Sequence, residues 1–297
     1  MLPASRWSIA LLLMSNTVTL AAKGAVLDLH AAMSIGTRLR LAVEDVKAGL
    51  RLWRLAWALG WLDIRLRYRG SMLGPFWLTI STGVMVAALG VLYATLFHMD
   101  VHDYLPFLAL SQVLWAFLAS MVSESCGAFT EAEAVVRSVR MPFFVFALRT
   151  LIRNVMVLGH NILVIVVVFV VFSQWPSWNW LMIMPGLLVW IVDALLLTLL
   201  LGAFCARFRD ILPIVNSVMQ IAFFVTPVIW KPEQLGKAAS TLPFNPFYDL
   251  IEIVRGPLLG QNASAATWIG AGVYSLALCS IAWAFFVRAR GRITFWI

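Results

Sequence analysis

The sequence predicts an all-α integral membrane protein with about six transmembrane helices, an N-terminal amphipathic interfacial helix and short re-entrant helices before the last span. Three observations predict it. Of the 297 residues, 62% are hydrophobic and 12% charged, about half the roughly 25% charge that a soluble domain uses to cover its surface. Apolar stretches of roughly 20 residues, long enough to cross a bilayer, recur at 75–97, 104–122, 151–172, 180–204, 212–230 and 267–287. The connections between them alternate between arginine-bearing and arginine-poor, so the charge follows the crossings.

Residues 1–32 read as a leader. The apolar run 7–22 is short for a span, and with Arg6 before it and Ala21-Ala22 after it, it imitates a signal peptide. A disordered leader or an upstream start site accounts for the segment equally, with the recognisable protein beginning near Met33. Residues 33–74 form the amphipathic segment. At 100° per residue, Arg40, Lys47, Arg51, Arg54 and Arg65 fall in a stripe about 60° wide. The rest of the circumference is largely Leu, Val and Trp, including Trp53, Trp57 and Trp61. Such a stripe suits the membrane interface, where arginines meet lipid phosphates. Packing on other protein is the alternative, and Gly49 and Gly60 permit bends that allow both.

Residues 75–297 form the six-span domain. Nineteen of the 22 Lys and Arg lie in 1–74, 123–153, 206–210 and 288–297, and the other three are Lys231, Lys237 and Arg255. The positive-inside rule then predicts a multi-pass protein with both termini cytoplasmic. The net charge of +8 is therefore a topology signal, and no nucleic-acid partner is expected. After the first span, His98, Asp100, His102 and Asp103 crowd into one short loop. A solvated turn is expected there, and no metal site. Cys126, Cys205 and Cys279 show no ligand spacing and are expected to be buried structural cysteines.

Segment 124–144 carries Glu124, Glu131, Glu133, Arg137 and Arg140 before Met141-Pro142, and a helix broken at the proline is expected. Residues 231–266, with Pro243, Pro246 and Gly256-Pro257, predict two short helices dipping toward the membrane, which requires their backbone to be shielded by protein. Two ionisable residues fall inside spans: Asp193, about 12 residues from either end of the fourth and so near the midplane, and His160 in the third. A buried carboxylate in lipid has a partner, and His160 or a hydroxyl is expected for Asp193, with proton coupling as the sharper alternative.

None of the four lysines is followed by Ser or Thr, so the chain has no G-x-x-x-x-G-K-[ST] phosphate loop. Any ATP-driven role needs a second polypeptide. Arg65-Leu-Arg-Tyr-Arg-Gly-Ser-Met-Leu-Gly-Pro-Phe-Trp77 runs into the first span. Arg137 to Phe144, Arg207-Phe-Arg-Asp-Ile211, Thr226-Pro-Val-Ile-Trp230 and Asn245 through Gly260 follow in order. Together these segments resemble the permease subunit of type-2 ABC exporters for polysaccharide, the group that moves lipid-linked O-antigen, capsule and teichoic acid. One departure is that Leu78-Thr-Ile-Ser-Thr-Gly83 lacks the proline common early in that group's first span.

The resemblance implies a transport permease and no enzyme, a homodimer with a channel at its interface, and two separate nucleotide-binding ATPase subunits. No cofactor is expected on this chain, since ATP and Mg would sit on the ATPase. Arg65, Arg67 and Arg69 with Leu73 and Gly74 form a basic turn suited to the diphosphate of a polyisoprenoid-linked glycan, or to membrane lipid. The family places a coupling helix at the segment of Glu131, Glu133, Arg137 and Arg140, and Arg207 and Arg209 make a second, smaller contact. Its outer gate falls on Asn245, Pro246, Tyr248, Arg255 and Gly256. Tyr93, Trp115 and Phe223 are candidate channel aromatics. The alternatives are an ABC exporter of a drug or lipid, an ion-coupled secondary transporter, and a membrane-embedded glycosyl- or acyltransferase.

Overall fold

The computed structural model describes residues 34–297 apart from Pro75 and Pro176; the expected leader, 1–32, lies outside the described residues. Residues 39–297 form one compact unit. Ser34 Oγ accepts from the Thr37 amide at 3.2 Å where helix α1 (Ile35–Arg51) begins. Helix α2 (Trp53–Arg67) follows after a break at Leu52.

The inward face of α1 and α2 is made of small residues at helical spacing: Ala42, Asp45 and Gly49, then Ala56 and Gly60, with Ile64. A Cβ at Gly49 would stand 2.7 Å from Phe144 Cβ, and one at Gly60 would stand 3.2 Å from the Arg149 carbonyl oxygen. These glycines let the two helices lie close on α6 (Phe143–Val171). Arg40, Lys47, Arg51, Arg54 and Arg65 are all exposed, as are Trp53, Trp57 and Trp61. The segment therefore packs on protein through one narrow face and presents its basic stripe and tryptophans outward.

Five helices are long and apolar enough to span: α3 (Phe76–Leu96), α4 (Val101–Gly127), α6, the run Trp178–Arg207 and α10 (Ala265–Trp296). The fourth opens with a 3-10 turn, Trp178–Met182, and continues as α7 (Ile183–Arg207). The helix within the fifth expected span, 212–230, is shorter than that run. Helix α8 (Ile211–Val225) has 15 residues, about 22 Å at 1.5 Å per residue, against a hydrocarbon core of about 30 Å. It stops at Val225 because Thr226 precedes Pro227, and a residue before proline is held out of the helical region.

Helix α4 is buried along most of its length and packs against α3, α6, α7, α8 and the short helix α9 (Pro246–Leu258), while α10 packs along α7. Phe117 of α4 stacks on Trp190 of α7 at 5.3 Å in the central core. Phe129, Phe144, Phe146 and Phe286 fill a second core toward the end that carries Arg149 and Arg153, the basic end. A short helix, α5 (Glu133–Ser138), lies on the same connection. At the opposite end a 3-10 segment, Pro232–Phe244, bends at Gly236 (φ 54°) and leads into α9. Cys126 and Cys205 are buried, but Cys279 is exposed, because its face of α10 has no neighbour among the described residues.

Candidate functional site

At the basic end, Arg153 is the centre of an ion-pair network. Its side chain is 6% exposed. It donates to Glu124 of α4 at 2.7 Å and to Asp63 of α2 at 3.3 Å, and it lies 3.6 Å from Glu131. Arg149, one turn earlier, grips Asp63 with two hydrogen bonds of 2.7 and 2.6 Å. Arg67 and Asn154 complete Glu124, at 2.9 and 2.7 Å. Charge-assisted, bidentate pairs of this kind are the strong ones, and this one ties three segments that are far apart in sequence. A second tie lies nearby. Buried Asp45 accepts from the Phe144 amide at the start of α6 at 3.1 Å and from Arg290 of α10 at 2.8 Å.

The candidate headgroup residues divide. Arg67 is committed to Glu124, whereas Arg65 and Arg69 are exposed and make no side-chain hydrogen bond among the described residues. The turn that follows carries Gly70 and Gly74 at positive φ (88° and 55°), and the Gly74 amide donates to Ser71 Oγ at 3.1 Å. Leu73 is 48% exposed beside it. In the candidate coupling segment, Glu133 pairs with Arg137 at 2.8 Å, and Arg137 donates to the Ile297 main-chain oxygen at 2.8 Å. The Arg207 guanidinium lies over the Trp296 ring at 5.3 Å. Both segments thus meet the last residues of α10, while Arg140 and Arg209 are exposed and free of side-chain bonds among the described residues.

At the opposite end, Arg255 is 1% exposed. It donates to Glu252 at 2.9 Å, to Ser111 Oγ at 2.8 Å and to the Pro227 carbonyl at 2.6 Å, and its guanidinium lies over the Phe107 ring at 4.4 Å. Tyr104 donates to the Ile229 carbonyl. Asn245 caps α9 by accepting from the Phe247 and Tyr248 amides at 3.0 and 3.3 Å, and its own amide donates to Thr226 Oγ1 at 3.0 Å. Pro246 holds the first helical position, where its missing N–H costs nothing. Trp190 Nε1 donates to the Leu250 carbonyl at 2.8 Å, and a Cβ at Gly256 would meet the Gln261 carbonyl oxygen at 3.2 Å. Irregular backbone after α8 is thereby satisfied by protein, which apolar surroundings require. Burial first, and the Glu252 charge second, push the Tyr248 hydroxyl up to about 12.

Trp115 and Phe223 come together with Phe247, at 5.7 and 5.5 Å from Trp115, and Trp115 is only 6% exposed. Tyr93 stands apart, stacked on Phe97 at 5.5 Å. Asp193 takes the hydroxyl of Ser275 at 2.7 Å. His160 is not its partner: that ring faces Phe76 at 6.0 Å, and its Nδ1 lies 2.8 Å from the Met156 carbonyl oxygen. Asp100 caps α4 by accepting from the His102 amide at 2.8 Å. Among the described residues no three His, Cys, Asp or Glu side chains gather as metal ligands.

Residues 54–259 match the ABC-2 type transporter family, which is more than half of the chain. The chain belongs to the ABC-2 type transporter family. It is similar to the O-antigen export system permease protein RfbA of Myxococcus xanthus, 23% identical over 168 residues, covering 57% of this chain and 65% of that protein. The protein of the same name from Klebsiella pneumoniae is 23% identical over 195 residues, covering 64% of this chain and 74% of that one. The chain thus spans a little under two thirds of the Myxococcus relative's length.

The ABC-2 match runs from α2 to the end of α9 and so contains both the Arg153 network and the Arg255 site. Sequence reasoning passed over most of the first. Arg149 and Arg153 counted only as topology charges, and Asp63 and Asp45 were single acids in a basic helix. One signal was present: two arginines four apart on an otherwise apolar helix share a face and need anions there. Ser111 carried no signal at all.

Proposed function

We propose that this chain is the membrane permease of an ATP-driven exporter that moves a polyisoprenoid-linked polysaccharide across the bacterial inner membrane, energised by a separate ATPase subunit. The observation that carries the reading is the ABC-2 match together with two O-antigen export permeases among its relatives. The geometry supports it at three places. Exposed Arg140 and Arg209 flank the two connections at the basic end, the cytoplasmic side by the charge count, and offer cations to an ATPase. Arg65 and Arg69, exposed beside the Gly70–Gly74 turn and without side-chain hydrogen bonds among the described residues, offer cations to a diphosphate.

The third support concerns the channel. On α8 only Met219 is buried, and exposed Asn216, Ser217 and Gln220 lie within one face at helical spacing. Amides facing lipid are costly. A second copy of the chain, enclosing an aqueous path along α8, removes that cost and accounts for an apolar helix with so little cover.

Co-purification tests the reading. The tagged chain, extracted in mild detergent, is expected to bring down a stoichiometric ATPase, and Arg140→Glu with Arg209→Glu is expected to release it. Recovery of the chain without any ATPase, in detergent and in nanodiscs alike, would overturn the exporter. An intact complex whose depletion leaves lipid-linked glycan distributed normally would overturn the cargo.

A further inference from the structure

Between α9, α10 and the 3-10 segment lies an open cavity of about 490 Å3. Asp249 of α9 stands at its base, 1% exposed, and its Oδ1 is buried without a hydrogen-bond partner among the described residues. The other oxygen leans on Gly270 of α10. A Cβ built there would stand 2.1 Å from Asp249 Oδ2 and 2.9 Å from the Pro243 carbonyl oxygen, so glycine is what lets both oxygens lie close against the α10 backbone, while Oδ1 stays unpaired. No Lys, Arg or His lines the cavity. Tyr274 lines it without bonding to the carboxylate. Burial pushes the Asp249 carboxyl up to about 7, which a bound cation would reverse. The carboxylate also lies in the first turn of α9, where the helix dipole favours negative charge.

The chemistry of the site selects its ligand. A hard metal ion takes about six to eight oxygens, and the cavity offers one carboxylate and one carbonyl. A neutral hydroxyl would leave a buried charge uncompensated. An ammonium group supplies both N–H donors and the opposite charge. The rim is apolar and outward-facing, with Phe244 87%, Ile269 66% and Val273 62% exposed, so the cation arrives on an amphiphile lying along the membrane face of α10. We propose that this cavity binds the ammonium headgroup of an amino phospholipid, held by the Asp249 carboxylate with the Phe244 ring beside it. An aromatic face near an ammonium adds attraction of its own. The site is independent of the transported cargo.

The test uses the full chain in nanodiscs of equal phosphatidylethanolamine and phosphatidylglycerol. Native mass spectrometry reads the lipid that stays bound after release from the disc. The wild type is expected to retain phosphatidylethanolamine at least about tenfold over phosphatidylglycerol, the lower end of what a charge-assisted hydrogen bond supplies. Asp249→Asn is expected to bring the two lipids to parity with the thermal midpoint unchanged or raised. Phe244→Ala, at an exposed rim position that leaves the core intact, is expected to reduce the preference severalfold, and it keeps the test decisive if the Asn variant does not fold. Equal retention of both lipids by the wild type would overturn the proposal. So would undiminished preference in the folded variants, which would make Asp249 a protonated packing residue.

Discussion

Arg153 and Arg255 are both buried arginines, one at each end of the bundle, and they are satisfied in opposite ways. Arg153 is shared among acids from three segments, and each of its two closest acids holds a second cation: Asp63 keeps Arg149 and Glu124 keeps Arg67. Arg255 has one carboxylate, Glu252, three residues away on its own helix, and spends its other donors on a hydroxyl and a main-chain carbonyl. The first arrangement is redundant and joins separate helices. The second is a self-contained pair that anchors the irregular backbone after α8. Redundancy suits a junction whose members shift relative to one another, and a closed pair suits a fixed point.

That contrast ranks the expected damage. Arg255→Ala strands Glu252 and the Pro227 carbonyl together, and removing one partner of a buried pair costs about 3–5 kcal/mol. It is expected to give the lowest thermal midpoint in detergent of any single variant discussed. Arg153→Ala leaves Asp63 and Glu124 each a remaining cation, so a smaller loss is expected, about 1.5–3 kcal/mol, in the range of hydrogen bonds to charged groups. Adding Arg149→Ala should then cost more than the two single losses combined, because Asp63 loses its last cation. Equal damage from Arg153→Ala and Arg255→Ala, or strict additivity of the Arg149 and Arg153 losses, would break the comparison.

Two smaller effects sharpen it. Gly60→Ala places a methyl 3.2 Å from the Arg149 carbonyl oxygen and pushes α2 away from the Arg153 network, and overpacking of this kind costs about 1–3 kcal/mol. A cross-link between α2 and α6 that forms in the wild type should form more slowly in that variant. At the other end, Asn245→Ala removes the cap of α9 and its bond to Thr226, with about 1 kcal/mol expected. Faster amide exchange at Phe247 and Tyr248 is the readout.

The sequence announces its bundle more clearly than its junctions. Long apolar runs marked five spans, but the run 212–230 concealed the helix end at Val225, where a pre-proline residue stops the helix. Pro142 marked the start of α6, although Arg149 and Arg153 hid its first two turns from a count of apolar residues. The two short elements before α10 were legible from Pro243, Pro246 and Gly256-Pro257. The Arg153 network was not, because Asp63, Glu124 and Arg153 are brought together only by folding, and no local spacing encodes contacts across 29 to 90 positions. Arg255 was visible as a residue of interest, but its burial was not. A basic residue in an external segment reads as solvated until a hydroxyl of α4 and a carbonyl of the backbone after α8 are found around it.

Arg65 and Arg69 give the smallest structural effect. They flank Arg67 on the same short stretch, yet they are exposed and make no side-chain hydrogen bond among the described residues. Replacing either with Ala should leave the thermal midpoint nearly unchanged, since surface substitutions of this kind stay within about 0.5 kcal/mol. Arg67→Ala, which releases Glu124, should lower it measurably. Export should follow the reverse logic: loss of Arg65 and Arg69 together removes the free cations proposed for the diphosphate and should abolish transport in a protein of normal stability and normal ATPase binding. Unchanged export in that double variant would leave the basic turn as a membrane anchor, and the headgroup would have to be held elsewhere along the exposed stripe of α1 and α2.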